Sequence, residues 1–342
     1  MTSTKSQLGQ FFTTNFDYIL SQMYLPFNAH IIEPFCGNGD LLTFANRYSP
    51  LQIESYDIDP KHAYVSKLDT LKTPPDYRDK YVLTNHPYLA KKKCKGDKSL
   101  CSMHKQDDLF KCFIASILGQ GCKGGIIIVP LNFWSSVRKR DVELRRRFLQ
   151  EFEALRVNIF GERVFHDTGY TVCAIQFRRL KPSADETTSI HFNFYPSRTR
   201  FAFKLNAAND YSIGGEIFRL PQSKKFKVDR ATRKNKESRG LTNILVKCID
   251  DSPTSQIRLS VVENDKRYID ETPKLSARSY ATLVIVPPLS KEKQKELVDT
   301  FNARLRKWRS EYNSLFLTNY RESSRKRISF GLVFKIIKYI LR

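Results

Sequence analysis

Residues 124–130 read Gly-Gly-Ile-Ile-Ile-Val-Pro, a run with no polar position to turn toward water. A strand wetted on one side alternates apolar and polar residues. An unbroken β-branched run instead predicts a strand covered on both faces, as in a parallel sheet between helix layers. The neighbouring segments agree. Residues 107–118 (DDLFKCFIASIL) carry apolar side chains at helical spacing, and Gly119 and Gly121 stop them. Residues 137–153 read as a charged amphipathic helix and 172–177 as a further strand. Upstream, 29–33 is a short apolar run ending in a glycine-rich turn, 41–48 reads as helix, and 52–56 and 81–84 as strands. This alternation predicts an α/β, doubly wound, mostly parallel Rossmann-like sheet.

The pattern changes after Lys181-Pro182-Ser183-Ala184, which reads as a linker. Beyond it come short alternating segments: HFNFY (191–195), RFAFKL (200–205), NILVKC (243–248), QIRLSVV (256–262) and ATLVIV (281–286). They predict an antiparallel second domain. A long helix at 291–313 and an amphipathic one at 332–341 make it α+β. The expected domains are 1–180 and 185–342.

With 342 residues, 41% of them apolar, the chain is long enough for two cored domains. Lys and Arg number 58 against 35 Asp and Glu, a net charge of +23, which calls for a polyanionic partner. Residues 181–342 contribute +16 of it. No apolar run reaches the ~20 residues that span a bilayer, and the opening MTSTKSQLGQFF lacks a secretory pattern, so no membrane partner and a cytoplasmic, unsecreted location are expected. Seven cysteines without a CxxC pair predict reduced thiols. Cys94, Cys101, His104 and Cys112 lie close in sequence but fit no usual zinc spacing, so no metal is expected.

In open α/β sheets ligands bind at the carboxyl ends of the strands. There the sequence has EPFCGNGDLL (33–42), where Gly37 and Gly39 permit a tight turn. Leu42 stands where a dinucleotide fingerprint needs a third glycine, which disfavours a nicotinamide cofactor. YDIDP (56–60) follows with Asp57, spaced to bind ribose hydroxyls. Asp69 comes next, and then TNHPYLA (84–90), where a strand finishes in an asparagine, a stiffening proline and an expected exposed ring, Tyr88. Taken singly, each of these is as readily a plain turn; their order on successive strand ends is what argues for a site.

In that order the features resemble the adenosylmethionine-dependent amino-methyltransferases of DNA. LGQFFT (8–13) is similar to their N-terminal cofactor motif, EPFCGNGD to their first motif and TNHPY to their N-P-P-Y catalytic motif. GCKGGIIIVPLNFW (121–134) and FGERVFHDTGYTVCAIQF (160–177) resemble the segments that close the catalytic domain. The arrangement is that of the γ class of N6-adenine methyltransferases of restriction–modification systems. Past residue 180 only the domain position matches. The resemblance implies a catalytic domain over 1–180 that binds S-adenosyl-L-methionine and a target-recognition domain over 185–342. Thr13 would hold the methionine carboxylate with the Gly37–Gly39 loop packed under the amino acid part, Glu33, Phe35 and Asn85 would also line the cofactor site, and Asp57 would take the ribose hydroxyls. Ile58 would pack on the cofactor adenine, and Asp69 would accept from its amine. Asn85 and the carbonyl of His86 would accept the two protons of the target amine, Pro87 would stiffen the turn, and Tyr88 and Phe165 would stack on the base. Phe160 and Tyr170 compete with Phe165.

The chemistry suits these residue types. A purine amine is a poor nucleophile because its lone pair is delocalised into the ring, and two fixed acceptors favour a pyramidal nitrogen aimed at a sulfonium methyl. Taking the base out of the helix costs a few kcal/mol, which an aromatic face partly offsets. The family usually has proline where this chain has His86. The carbonyl survives the change, the stiffness does not, and a side chain pointing away is a poor general base.

KKKCKGDK (91–98), with Lys91, Lys92 and Lys93, follows the catalytic turn and predicts phosphate contact. SKKFKVDRATRKNKESRG (223–240) carries eight basic residues and two acids and reads as a mobile loop; Lys224, Lys225, Arg230, Arg233 and Arg239 are its expected DNA contacts. RESSRKR (321–327) is a third basic patch, and the IIKYIL tail (336–341) is expected to pack on the second domain. The implied enzyme is a monomer on double-stranded DNA, with a cognate restriction endonuclease acting separately. Three rivals stand beside it: N4-cytosine methylation, where Ser usually replaces Asn; methylation of a protein glutamine; and a DNA-binding module with an inactive pocket, which His86 favours.

Overall fold

A computed structural model describes residues 12–93, 99–165, 171–181, 189–271, 279–319 and 325–342. The chain divides between Tyr211 and Ser212 into two compact units.

The first unit is built on nine strands: β1 (His30–Glu33), β2 (Gln52–Asp57), β3 (Ser66–Lys67), β4 (Tyr81–Thr84), β5 (Gly124–Pro130), β6 (Phe152–Phe160), β7 (Val172–Arg179), β8 (Ser189–Tyr195) and β9 (Thr199–Lys204). Their order is β3-β2-β1-β4-β5-β7-β6-β8-β9. β3, β2, β1, β4 and β5 pair parallel, β7 runs antiparallel between β5 and β6, and β8 rejoins β6 in parallel. The sheet is mixed and mostly parallel, as expected. Every residue of β5 is buried. Helices α1 (Phe16–Ile19), α2 (Asp40–Asn46), α3 (Ser99–Met103), α4 (Leu109–Gln120), α5 (Asn132–Ser135) and α6 (Lys139–Glu151) belong to this unit. In α4, Asp108 caps the amino end by accepting from the Phe110 amide at 3.4 Å, and the apolar face buries Phe113, Ile114 and Ile117.

Two expectations fail here. The helix over 137–153 stops at Glu151, and the next nine residues form β6, where β-branched Val157 and Ile159 are buried in register with β7 and β8. The proposed boundary between 180 and 185 also moves. HFNFY and RFAFKL form β8 and β9, which extend the first sheet because β8 hydrogen-bonds along β6. Antiparallel alternation shows that a strand exists but not which sheet it joins.

The second unit is α+β. β10 (Lys227–Arg230), β11 (Leu241–Lys247), β12 (Arg258–Val261) and β13 (Tyr280–Val286) make an antiparallel sheet in the order β10-β13-β11-β12. Helices α7 (Lys291–Glu311) and α8 (Phe330–Ile340) share one core with it, through Phe301 and Leu305, Val333 and Ile336, and Ile244 and Leu283. The amphipathic tail thus packs inside this unit. Each of its buried Leu, Val and Ile side chains stabilises the fold by about 1.5–3 kcal/mol relative to exposure. No helix among the described residues is long and apolar enough to cross a membrane.

Candidate active site

The sequence motifs converge at the carboxyl ends of β1, β2 and β4. After Glu33 the chain turns through Gly37 at φ +55° and Gly39 at φ +80°, a region costly for any residue with a Cβ. The Cys36 amide donates to the Tyr56 carbonyl at 2.9 Å and the Gly37 amide to Asp57 Oδ2 at 2.8 Å, so the end of β2 holds the turn in place. Asp57 Oδ1 accepts from the Asp59 amide at 2.8 Å. Each carboxylate oxygen accepts more than one bond, so capacity for a ligand hydroxyl remains. Next to it Ile58 is 51% exposed, an apolar side chain held at a strand end facing water.

Asp69 accepts from the Leu71 and Lys72 amides at 3.2 and 3.3 Å, and the neighbouring Thr70 hydroxyl donates to the Pro34 carbonyl at 2.9 Å. That last bond ties the Asp69 loop to the glycine turn. His62 and Tyr64 were not singled out in the sequence. Their rings stack at 5.0 Å with an interplanar angle of 4°, His62 Nε2 bonds the Asn38 carbonyl at 3.0 Å, and a Cβ on Gly39 would lie 3.1 Å from the Tyr64 hydroxyl. Two aromatic rings in a polar, charged stretch were the available signal.

Glu33 is fully buried. Its Oε1 accepts from the Phe35 amide at 3.1 Å and from the Thr84 hydroxyl, while Oε2 has no partner among the described residues. Burial pushes its carboxyl up to about 8, against the pull of the Thr84 bond. Phe35 sets its ring edge-on to Phe113 at 5.4 Å.

At the end of β4, Asn85 Nδ2 donates to Thr13 Oγ1 at 2.9 Å, and Thr13 is buried. The Tyr88 hydroxyl stands between Asn85 Oδ1, to which it donates, and the Ile128 carbonyl at 2.9 Å. The expected exposed ring is therefore corrected: Tyr88 is 2% exposed, because its ring packs edge-on to His86 and its hydroxyl finds an acceptor inside. Burial holds that phenol well above its ordinary pKa.

His86 is 1% exposed and sits among Phe35, Phe110, Phe113 and Tyr88, with its ring 4.9 Å from Phe113. Neither ring nitrogen has a partner among the described residues, and burial pushes the imidazole down to about 3. Among the described residues the ring is packed on aromatic neighbours and meets no group that could pass it a proton. Pro87 is half-buried beside it, and Phe165 is buried. Phe160 is buried too and stacks on Tyr195 at 5.8 Å; Tyr170 lies outside the described residues.

Lys91 bonds the Ser102 hydroxyl at 2.9 Å, and Lys92 is exposed. The side chain of Lys93 and residues 94–98 lie outside the described residues. Cys101 and Cys112 are buried with sulfurs 4.0 Å apart, and His104 bonds the Leu71 carbonyl at 3.0 Å. In the second unit Lys224, Lys225, Arg233 and Arg239 are exposed. The reading of 223–240 as a mobile loop is corrected, since Lys227–Arg230 is strand β10, paired with β13. Arg230 also departs from its expected role: it pairs with Asp270 at 3.3 Å and lies over the Phe330 ring at 5.7 Å. In the third patch Lys326 is buried on the Asn319 side chain, and burial pushes its amine down to about 7. Residues 321–324 lie outside the description.

The strand order and the turns at the carboxyl ends define an open, mostly parallel α/β fold of the kind that binds ligands at those ends. The chain is similar to the type II methyltransferase M.HincII of Haemophilus influenzae, with 31% identity over 199 residues, covering 52% of this chain and 39% of that one. It is equally similar to M.HindII of Haemophilus influenzae Rd, at 31% identity and 38% of that chain. It thus spans about two fifths of the length of these curated relatives. No family model matches. Among solved structures, a modification subunit of a putative type I restriction enzyme from Vibrio vulnificus aligns at 14% identity and a TM-score of 0.45, over 76% of this chain and 60% of that one. A putative class I adenosylmethionine-dependent methyltransferase from Listeria monocytogenes aligns at 12% identity and 0.39, over 54% and 62%.

Proposed function

We propose that the chain is a restriction–modification DNA methyltransferase that moves a methyl group from S-adenosylmethionine to the N6 amine of an adenine swung out of duplex DNA. The observation that carries this reading is the 2.9 Å bond from Asn85 Nδ2 to Thr13 Oγ1. It joins the residue assigned to the target amine to the residue assigned to the methionine carboxylate. The similarity to type II methyltransferases supports the same class.

The residues present fit the cofactor. The glycine turn leaves backbone room, Asp57 and Asp69 keep acceptor capacity, Ile58 offers an exposed apolar face, and Glu33 Oε2 is a buried polar atom without a partner among the described residues at the base of the turn. When bound, S-adenosylmethionine supplies an electrophilic methyl on a sulfonium. Asn85 Oδ1 and the carbonyl of His86 accept the two amine hydrogens and turn the nitrogen lone pair toward that carbon. With the cofactor bound there, the amine nitrogen would take the methyl from sulfur and give up one proton to solvent. Positioning and fixed dipoles supply the acceleration, and no residue becomes covalently attached.

Exposed Lys92, Lys224, Lys225, Arg233 and Arg239, with Lys91 and Lys93 beside the pocket, fit phosphate contacts in this reading. The enzyme would act as a monomer, with any cognate endonuclease a separate protein. The engaged Asn85 oxygen and the buried His86 favour one other reading, a DNA-binding module without turnover. Incubation with methyl-labelled S-adenosylmethionine and mixed-sequence duplex DNA, followed by nucleoside analysis, tests both. Label in N6-methyladenine supports the enzyme; label in N4-methylcytosine changes the base; duplex binding without label leaves the inactive module.

A further inference from the structure

The carboxyl edge of the first sheet continues well beyond the pocket, and its two halves differ in charge. β5 and β6 both run against β7, and β8 runs with β6, so the ends of β5, β6 and β8 lie on the same edge as Asn85. On the β2–β3 side that edge carries Asp57, Asp59 and Asp69. On the other side, exposed Arg138, Lys139 and Arg140 follow β5, and exposed Arg198 and Arg200 lie at the turn between β8 and β9. These five make no ion pair among the described residues. The acids nearby have partners of their own: Tyr18 donates to Glu162, Asp107 and buried Asp141 hold Lys111, and Glu143 pairs with Arg146, which holds its carboxyl down with help from Lys139.

Both basic groups are built on fixed supports. The buried Arg145 guanidinium donates to the Phe133 carbonyl and, at 3.1 Å, to the Ser136 carbonyl, holding the turn that leads into Arg138. The β8–β9 turn is braced by the Gly161 amide on the Tyr195 carbonyl at 2.8 Å and by Tyr195 stacked on Phe160. Arg198 stands at φ +55°. A left-handed arginine costs about 1–2 kcal/mol that glycine would avoid.

We propose that this half of the edge binds the sugar–phosphate backbone of duplex DNA flanking the base presented to Asn85. The proposal rests on the reading of Asn85 as the target-amine site. Four strand spacings separate β4 from β8, roughly 19 Å at ~4.8 Å each. At ~3.4 Å per phosphate along one strand, the tip meets the backbone about five or six nucleotides from the target, while Arg138–Arg140 meet it next to the target.

The test is fluorescence anisotropy of the full chain on a labelled, mixed-sequence duplex of about 30 base pairs over a salt series, where each lost phosphate contact lowers the slope of log K against log salt by ~0.9. R198A/R200A should reduce the slope by ~1.8 and R138A/K139A/R140A by ~2.7. K123A/K204A, two exposed lysines at the opposite edge, should leave it unchanged. Rim variants with the parent slope, or a control that loses as much, overturn the proposal. A parent that binds the duplex but transfers no methyl group removes the reading of Asn85 instead, and a parent that binds no DNA removes both.

Discussion

The Tyr88 hydroxyl donates to the side-chain oxygen of Asn85, so the acceptor assigned to the target amine already holds a proton donor. An entering amine would share that oxygen or displace the hydroxyl, and the ring that would stack on the base has to leave a buried position. Tyr88→Phe removes the hydroxyl that lies between Asn85 Oδ1 and the Ile128 carbonyl, and the lost hydrogen bond costs about 0.5–1.5 kcal/mol. The variant should melt several degrees lower while keeping methyl transfer within about tenfold of the parent. A complete loss of transfer in a folded Tyr88→Phe protein would assign the hydroxyl a direct part in the reaction.

On the proposed reading Asn85→Ala removes one fixed acceptor from the target amine and should lower kcat by ~100-fold or more. Its second bond, to Thr13, makes a smaller effect on cofactor binding unavoidable. One lost hydrogen bond of about 0.5–1.5 kcal/mol weakens S-adenosylmethionine binding by roughly tenfold at most. Calorimetric titration with the cofactor alone, beside single-turnover rates on DNA, separates the two. Near-parental rates would withdraw the catalytic role.

Glu33 and His86 set opposite pH limits. The folded-state pKa of Glu33, about 8, is above its unfolded value, so its contribution to stability is full below about 4.5 and is lost as pH rises through 8. Glu33→Gln should therefore flatten the fall in Tm between about pH 4.5 and 8. A parallel decline in parent and variant would show that the carboxyl is not held neutral.

For His86 the sign is reversed. Its folded value, about 3, is below the unfolded 6.5, so its contribution is present above 6.5 and is lost as pH falls toward 3. His86→Phe keeps an aromatic ring among Phe35, Phe110 and Phe113 and removes two unpartnered nitrogens. The variant should gain Tm over the parent at pH 5 by more than at pH 8, as calorimetric scans at both values would show.

Much of this architecture is legible because the signals are local. The covered run of β5 and the glycine turn at Gly37 and Gly39 depend on side-chain type and backbone sterics within a few residues. What is not legible depends on distant partners. Which sheet takes β8 is decided by its pairing with β6, some thirty residues earlier. The inward turn of Tyr88 needs the Ile128 carbonyl, forty residues later. The stack of His62 on Tyr64 over Gly39 is invisible without the fold of the first turn. Charge misleads in the same way. Arg230 and Lys326 read as surface contacts, yet Asp270 and Asn319 draw them inward.

That difference within one basic segment gives a sharp contrast. Lys224, Lys225, Arg233 and Arg239 are exposed, whereas Arg230 pairs with the buried Asp270 and covers Phe330. Neutralising the four exposed residues should leave Tm within about 2 °C of the parent, because surface substitutions cost little. If all four meet phosphates, the salt slope of duplex binding drops by ~3.6. Arg230→Ala should do the reverse. It strands a buried carboxylate, at a cost of about 3–5 kcal/mol, and lowers Tm sharply while the salt slope of the protein that remains folded stays parental. Chemical denaturation alongside anisotropy reads both quantities. An Arg230→Ala protein with parental stability and a reduced slope would return this arginine to the DNA.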